Sequence, residues 1–223
     1  MFDLFFKAVC GGYDKNFSYI IGDPKEKTLG LIDASISLEN LQSSLDLAYK
    51  KGYTNISKIF LTHSHHDHIA YLAEIQAKTQ AQVYAHQAAE NRIQKIIDLK
   101  INYIHHEQIL NLGSEQIRAI HTPGHQPDCI CFIWRNKIFT GDTLFVEGCG
   151  RCNFPESSPE DQFESLHFIA NQLDPNLEVY PGHNYGSVGH STIAREKEVN
   201  KYLKTKDKNI WLALRAGNGK LEV

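Results

Sequence analysis

The chain has 223 residues, 23 basic and 26 acidic side chains, and a net charge of −3, so it has no global attraction to nucleic acid or to a membrane surface. With 42 % apolar residues it can bury a sizeable core, and one domain spanning residues 1–223 is expected. No stretch approaches the roughly 20 apolar residues of a membrane-spanning helix. Met1 to Lys7 carries an acid where an export signal is basic, and five cysteines lack framework spacing, so a cytoplasmic protein is expected.

In chain order, segments 2–10, 17–22 and 28–33 read as a strand meander broken by Gly11-Gly12 and Asp23-Pro24. A helix follows, with Leu38, Leu41, Leu45 and Ala48 on one face, Ser37 as cap and Gly52 as stop. The apolar run 56–61 reads as a buried strand, 69–78 as a helix and 81–85 as a short strand. Periodicity is weak over 87–106, and His105-His106 is read as surface. Strands resume at 109–112, 116–121, 129–135 and 137–141. Ser158-Pro159-Glu160-Asp161 opens a helix whose face is Phe163, Leu166, Ile169 and Leu173. A strand at 177–180 and a helix from Ser191 to Lys204 complete the pattern. Segment 195–208 holds six basic and three acidic residues and reads as a solvated helix face.

The chemistry concentrates in four pieces. Strand 56–61 runs directly into Thr62-His63-Ser64-His65-His66-Asp67-His68, a His-x-His-x-Asp-His cluster. In a helix His63 and His65 would diverge, whereas a turn leaving a strand lets both converge on one ion. Three further pieces follow: His121-Thr122-Pro123-Gly124-His125, Phe139-Thr140-Gly141-Asp142-Thr143 and Tyr180-Pro181-Gly182-His183. Each sets an apolar run beside a Gly- or Pro-containing turn that presents a His or Asp. The candidate ligands are His63, His65, Asp67, His68, His125, Asp142 and His183. That set exceeds one four-ligand structural zinc and suffices for two metals sharing a carboxylate. Cys149-Gly150-Arg151-Cys152 lacks the second pair of a zinc ribbon, and Cys129-Ile130-Cys131 reads as strand packing. No Gly-x-Ser-x-Gly elbow is present.

These four pieces, in this order, resemble the metallo-β-lactamase superfamily over nearly the whole chain. The resemblance implies an α+β fold, a four-layer αββα sandwich with the metals at one edge of two sheets. Two batches of strands, each followed by helices, agree with that layering. The resemblance also implies that His63, His65 and His125 hold one divalent ion. Asp67, His68 and His183 would hold a second, with Asp142 bridging and Asp67 and Asp142 as the catalytic carboxylates. Zinc is the expected metal, with iron at one or both sites as the alternative.

Thr140-Gly141-Asp142-Thr143-Leu144-Phe145, Gly148-Cys149-Gly150-Arg151 and Tyr180 to Tyr185 are similar to glyoxalase II (hydroxyacylglutathione hydrolase) and to the related persulfide dioxygenases. The hydrolase resemblance implies cleavage of a small-molecule thioester by a hydroxide bridging the metals, with Arg151 and Tyr185 on the thiol handle. Asn153 stands where glyoxalase II has an aromatic, and with 40 residues after His183 most of the helical C-terminal extension of glyoxalase II is expected to be missing. Coenzyme A or a carrier-bound arm therefore joins glutathione as a candidate handle, with Lys204 and its neighbours Lys201 and Lys206 as the grip. The alternative is a persulfide dioxygenase with one Fe(II) on His63, His125 and Asp142, acting on glutathione persulfide. The short spacing from His183 to Ser191 resembles the dioxygenases, and His66 resembles the hydrolases.

Overall fold

A computed structural model describes residues 4–217. The first sheet is built from β1 (Phe5–Cys10), β2 (Phe17–Gly22), β3 (Leu29–Ile32), β4 (Ile56–Phe60), β5 (Gln82–His86) and β6 (Ile101–Ile104), in that spatial order. β1 to β3 form an antiparallel meander and β3 to β6 run parallel. The parallel crossovers carry α1 (Leu38–Lys50), α2 (Leu72–Thr79) and α3 (Glu90–Gln94). The second sheet starts at β7 (Ile109–Leu112), β8 (Glu115–His121), β9 (Ile130–Trp134) and β10 (Lys137–Gly141). After α4 (Pro159–Gln172) come β11 (Glu178–Pro181), parallel to β10, and β12 (Ser191–Thr192), antiparallel to β11. The chain continues through α5 (Ile193–Val199), α6 (Lys201–Lys204) and α7 (Lys208–Gly217). Among the described residues no helix is long and apolar enough to cross a membrane.

Period-2 alternation produces the layers, because successive strand side chains face opposite ways. Tyr19, Ile21, Ile32, Phe60, Phe132 and Phe139 meet between the two sheets. Their neighbours Ile20, Leu31 and Ile59 point outward, onto Leu41, Leu45 and Ile75 of the first helical layer. In the second sheet Ile120, Cys131, Ile138 and Val179 face Leu166, Ile169, Ile193 and Trp211. Three apolar interfaces between four layers give the αββα sandwich. Each fully buried Leu, Ile or Phe contributes about 1.5–3 kcal/mol. Local signals agree with the packing: the hydroxyls of Ser37 and Ser158 accept from the amides of Asn40 and Asp161, capping α1 and α4.

The differences from expectation have tertiary causes. β6 lies in the weakly patterned stretch, and its four residues are too few to show a period. Residues 69–71 are not helical, because Ala34 N donates to His68 O at 2.9 Å and Tyr71 N to Ala34 O at 2.9 Å, tying them to the end of β3. The helix expected over 191–204 is divided. Ser191-Thr192 pairs with β11, and Thr192 then caps α5 by accepting from Arg195 N at 3.1 Å. Buried Asn200 breaks the next turn, its amide donating to Gly148 O at 2.9 Å while its Oδ1 accepts from Tyr202 N. α7 was not foreseen; its Trp211 is buried and donates to Tyr202 O at 3.0 Å.

Candidate metal centre

β4, β8, β10 and β11 all end at one edge of the sandwich, and each delivers part of the site from the loop beyond its last residue. Ile130 N donates to Thr62 O at 2.7 Å, joining the two sheets there. Gly182 N donates to Gly141 O at 2.8 Å, which sets His183 beside Asp142. A Cβ on Gly182 would lie 2.4 Å from Asp142 Oδ1 and 2.7 Å from His68 Cε1, so a side chain would fill the space those ligands share.

Three groups of donor atoms converge, each lying within 4.8 Å of one another: His63, His65 and His125; His63, His68 and Asp142; and Asp67, His68 and His183. Around the first centre His65 Nδ1 is 3.1 Å from His63 Nε2 and 2.9 Å from His125 Nε2. Around the second, His68 Nε2 is 3.2 Å from His183 Nε2, and Asp67 Oδ2 is 3.4 Å from His183 Nε2. Asp142 stands between them. Its Oδ1 is 3.2 Å from His68 Nε2 and 3.4 Å from His183 Nε2, and its Oδ2 is 3.4 Å from His125 Nε2.

Hydrogen bonds on the far side of the rings fix their tautomers. His183 Nδ1 donates to Asp14 O at 2.8 Å and His125 Nδ1 to Arg151 O at 2.6 Å, since a carbonyl can only accept. His68 Nδ1 faces Asp33 Oδ2 at 2.8 Å. In the neutral rings each Nε2 therefore presents a lone pair to the others, an arrangement that calls for a cation in the middle. Metal–nitrogen bonds of zinc length place tetrahedral ligands about 3.3 Å apart, the spacing seen here. Asp142 Oδ1 is buried without a hydrogen-bond partner, which an ion would supply. The residues present fit two divalent ions.

Electrostatics agree. Burial, reinforced by neighbouring imidazoles, holds His63 well below its ordinary value and His65 at about 3, so both stay neutral as ligands must. Burial opposes charge on Asp142, but His183 and His68 outweigh it and hold its carboxyl well below the usual range. His68 differs: burial opposes its charge, but the carboxylates of Asp142 and Asp33 overcome it and raise that ring, so a proton and a metal ion compete for its Nε2.

Support comes from residues that the sequence reading passed over. Asp33, buried at the end of β3, accepts from Thr62 N and Thr62 Oγ1, both at 2.7 Å, besides facing His68. Asn16 donates to Asp67 Oδ2 at 2.9 Å. Asp128 accepts from Ser64 N at 2.7 Å, and Arg92, from the weakly patterned segment, binds Ser64 Oγ at 3.1 Å and Gln126 Oε1 at 2.6 Å. None belongs to a motif; a lone Asp at a strand end was the only available signal.

The centre opens into a cleft of about 680 Å³ walled by Asp14, Lys15, His66, Phe145, Arg151, Phe154 and Tyr185 as well as by ligands. The Arg151 guanidinium lies 4.4 Å from the Phe154 ring centroid. Tyr185 stacks on His183 and its hydroxyl donates to Asp14; burial and that carboxylate raise its pKa. Lys204 does not line this cleft. It faces a separate concavity with Lys197 and Lys206, and Lys201 lines a chamber next to the cleft. Cys149 is part of the apolar core, and burial raises its thiol to about 12 and that of Cys152 to about 11.

Fold and site together define an αββα protein with a metal-binding constellation at its sheet edge. The chain belongs to the metallo-β-lactamase superfamily, whose description matches residues 11–183. It is 33 % identical over 177 residues (79 % of this chain, 76 % of the other) to a probable polyketide biosynthesis zinc-dependent hydrolase, PksB, of Bacillus subtilis. A hydroxyacylglutathione hydrolase of Bartonella tribocorum is 32 % identical over 172 residues, 76 % of this chain and 63 % of that protein. A mitochondrial persulfide dioxygenase, ETHE1, of Bos taurus is 26 % identical over 190 residues, 84 % and 71 % of the two chains. The crystal structure of ETHE1 from Myxococcus xanthus superposes with a TM-score of 0.84 at 25 % identity, covering 98 % of this chain and 92 % of that one.

Proposed function

We propose that the chain is a metallo-hydrolase that cleaves thioesters of a small-molecule or carrier-borne thiol. The observation that carries this reading is the pair of ligand groups around Asp142, which open onto a cleft whose described lining contains no Ser, Thr or Cys. With no Ser, Thr or Cys nucleophile in that lining, the acyl group passes directly to water and no acyl-enzyme forms. Two divalent ions, zinc in the first instance, would be held by His63, His65 and His125 and by Asp67, His68 and His183, with Asp142 shared. When bound they supply an activated water and polarisation of the carbonyl.

The chain's own residues do the rest. The Asp14 carbonyl and the Asp33 carboxylate keep the protons of His183 and His68 on the Nδ1 side, so their Nε2 atoms keep lone pairs for a metal. Burial opposes charge on Asp67, but His68 and Asn16 hold its carboxyl below the usual range, so it is ionised and able to accept a proton. Arg151 offers a forked cation to an anionic group on the thiol handle, and the Tyr185 hydroxyl a directed hydrogen bond.

The test is anaerobic thiol release from S-lactoylglutathione and acyl-coenzyme A by zinc-loaded protein. Absence of thiol release from every thioester, with oxygen-dependent consumption of glutathione persulfide by iron-loaded protein, overturns the proposal in favour of the dioxygenase reading. That second reading rests on the likeness to ETHE1 and on His125 and Asp142 lying side by side, Nε2 to Oδ2 3.4 Å.

A further inference from the structure

Resting on the thioesterase reading, we infer that the acyl group arrives on a phosphopantetheine arm, lodged beside Tyr185, with its phosphate on Lys197, Lys204 and Lys206. Phe145 and Tyr185 wall the metal cleft on one side and, on the other, a chamber of about 320 Å³. Val146, Val199 and Tyr202 make its remaining walls largely apolar, and Lys201 stands at it as a single cation. Its one acid, Glu147, is already engaged by Arg195 and by Ser187 Oγ at 2.6 Å. A thiol arm leaving the metals past Tyr185 therefore meets a slot suited to methylenes and amides.

α6 divides this chamber from a second concavity of about 610 Å³. Lys201 and Tyr202 line the first, and Leu203 and Lys204 the second. In the second, the charged lining consists of Lys197, Lys204 and Lys206, with no carboxylate, in a chain of net charge −3. None of the three has an ion-pair partner among the described residues, whereas Arg195 and Lys208 of the same segment pair with Glu147 and Glu164. Three uncompensated ammonium groups suit a phosphate. Val199 of the chamber and Lys197 of the basin stand two residues apart on α5, and Tyr202 of the chamber adjoins Leu203 of the basin on α6. The basin therefore lies next to the chamber across the α5–α6 ridge, the order that a long neutral thiol arm ending in phosphate would follow. Glutathione carries its carboxylates close to the thiol and would leave the basin unused.

Coenzyme A and an acyl carrier protein both present this arm, and the experiment separates them. One acyl group is offered on coenzyme A, on a carrier protein, on glutathione and on N-acetylcysteamine, which has the amide-thiol end without the phosphate. These are hydrolysed by zinc-loaded wild type and the K197A/K204A/K206A variant, and calorimetry follows coenzyme A binding to both. The expected result is a fall of tenfold or more in kcat/KM for the phosphate-bearing esters relative to the N-acetylcysteamine ester. It should reside in KM and be matched by weaker coenzyme A binding and by the effect of high salt on wild type. A carrier ester preferred tenfold over the coenzyme A ester names the carrier as source, and parity names coenzyme A. Equal coenzyme A affinity in wild type and variant, or a preference for the glutathione ester, overturns the inference. Failure to hydrolyse any ester overturns the thioesterase reading, while the calorimetry still decides the arm site.

Discussion

Asp33→Asn tests whether the protein sets the second metal site through a proton on His68. The Asp33 carboxylate accepts three hydrogen bonds, from Thr62 N and Thr62 Oγ1 at 2.7 Å and from His68 Nδ1 at 2.8 Å. Asparagine keeps the shape but has one acceptor. If its oxygen stays on Thr62 N, its amide NH₂ faces His68 Nδ1, which must then accept. The His68 proton moves to Nε2, the atom 3.2 Å from His183 Nε2 and from Asp142 Oδ1, and the lone pair needed for a metal is lost. The flipped amide instead sets two donors, its own and Thr62 N–H, against each other. Loss of such a support weakens metal binding about 10- to 100-fold, about 1.4–2.8 kcal/mol. Removing hydrogen bonds to a buried charge costs roughly 1.5–3 kcal/mol of stability, a fall in Tm of about 3–12 °C at this size. Zinc titration by calorimetry, with ¹⁵N shifts of the His68 ring to report its tautomer, measures both effects. A variant that binds its second zinc as tightly as wild type, with His68 still protonated at Nδ1, refutes the reasoning.

Asp142→Ala should lose metal from both centres, because its two oxygens face different groups, while His183→Ala should retain one ion; full occupancy in purified Asp142→Ala would contradict the shared role. Gly182→Ala drives a methyl against Asp142 Oδ1 and His68 and should reduce metal stoichiometry while the circular dichroism stays that of wild type. Asp23, buried, accepts from Ser114 N, Lys25 N and Glu26 N; burial opposes its charge and those amides outweigh it, so its pKa is lowered. Its contribution is complete above the unfolded value near ~3.9 and is lost as pH falls through the lower folded value. Asp23→Ala should therefore be less stable by about 1–2 kcal/mol at pH 7 in urea unfolding, with the difference shrinking toward pH 3 and a pH-independent gap counting against it. At pH 8 an alkylating reagent should label exposed Cys10 well before Cys131 and Cys149, whose thiols burial raises to about 12; equal rates in the native protein would show these two to be accessible.

Much of the architecture is local information. Alternation in β2, β8 and β10 sorts side chains between two interfaces whatever the strands pack against, and Ser37 and Ser158 mark helix starts through hydrogen bonds made within three residues. The candidate ligands named from sequence lie together in the fold, since an imidazole just past a buried strand has few places to go. What the chain order concealed was every relation between distant segments. Asp33 lies 35 residues from His68, and Arg92 reaches the His cluster from a stretch with no pattern. The lysines show the same limit. A run of basic residues reads alike on every face, and only the packing of α6, which follows a break where Asn200 bonds to Gly148 O, sets Lys201 at the chamber beside the cleft and Lys204 at the other concavity. Which side of a short helix faces a site depends on how that helix packs, and packing is a tertiary relation.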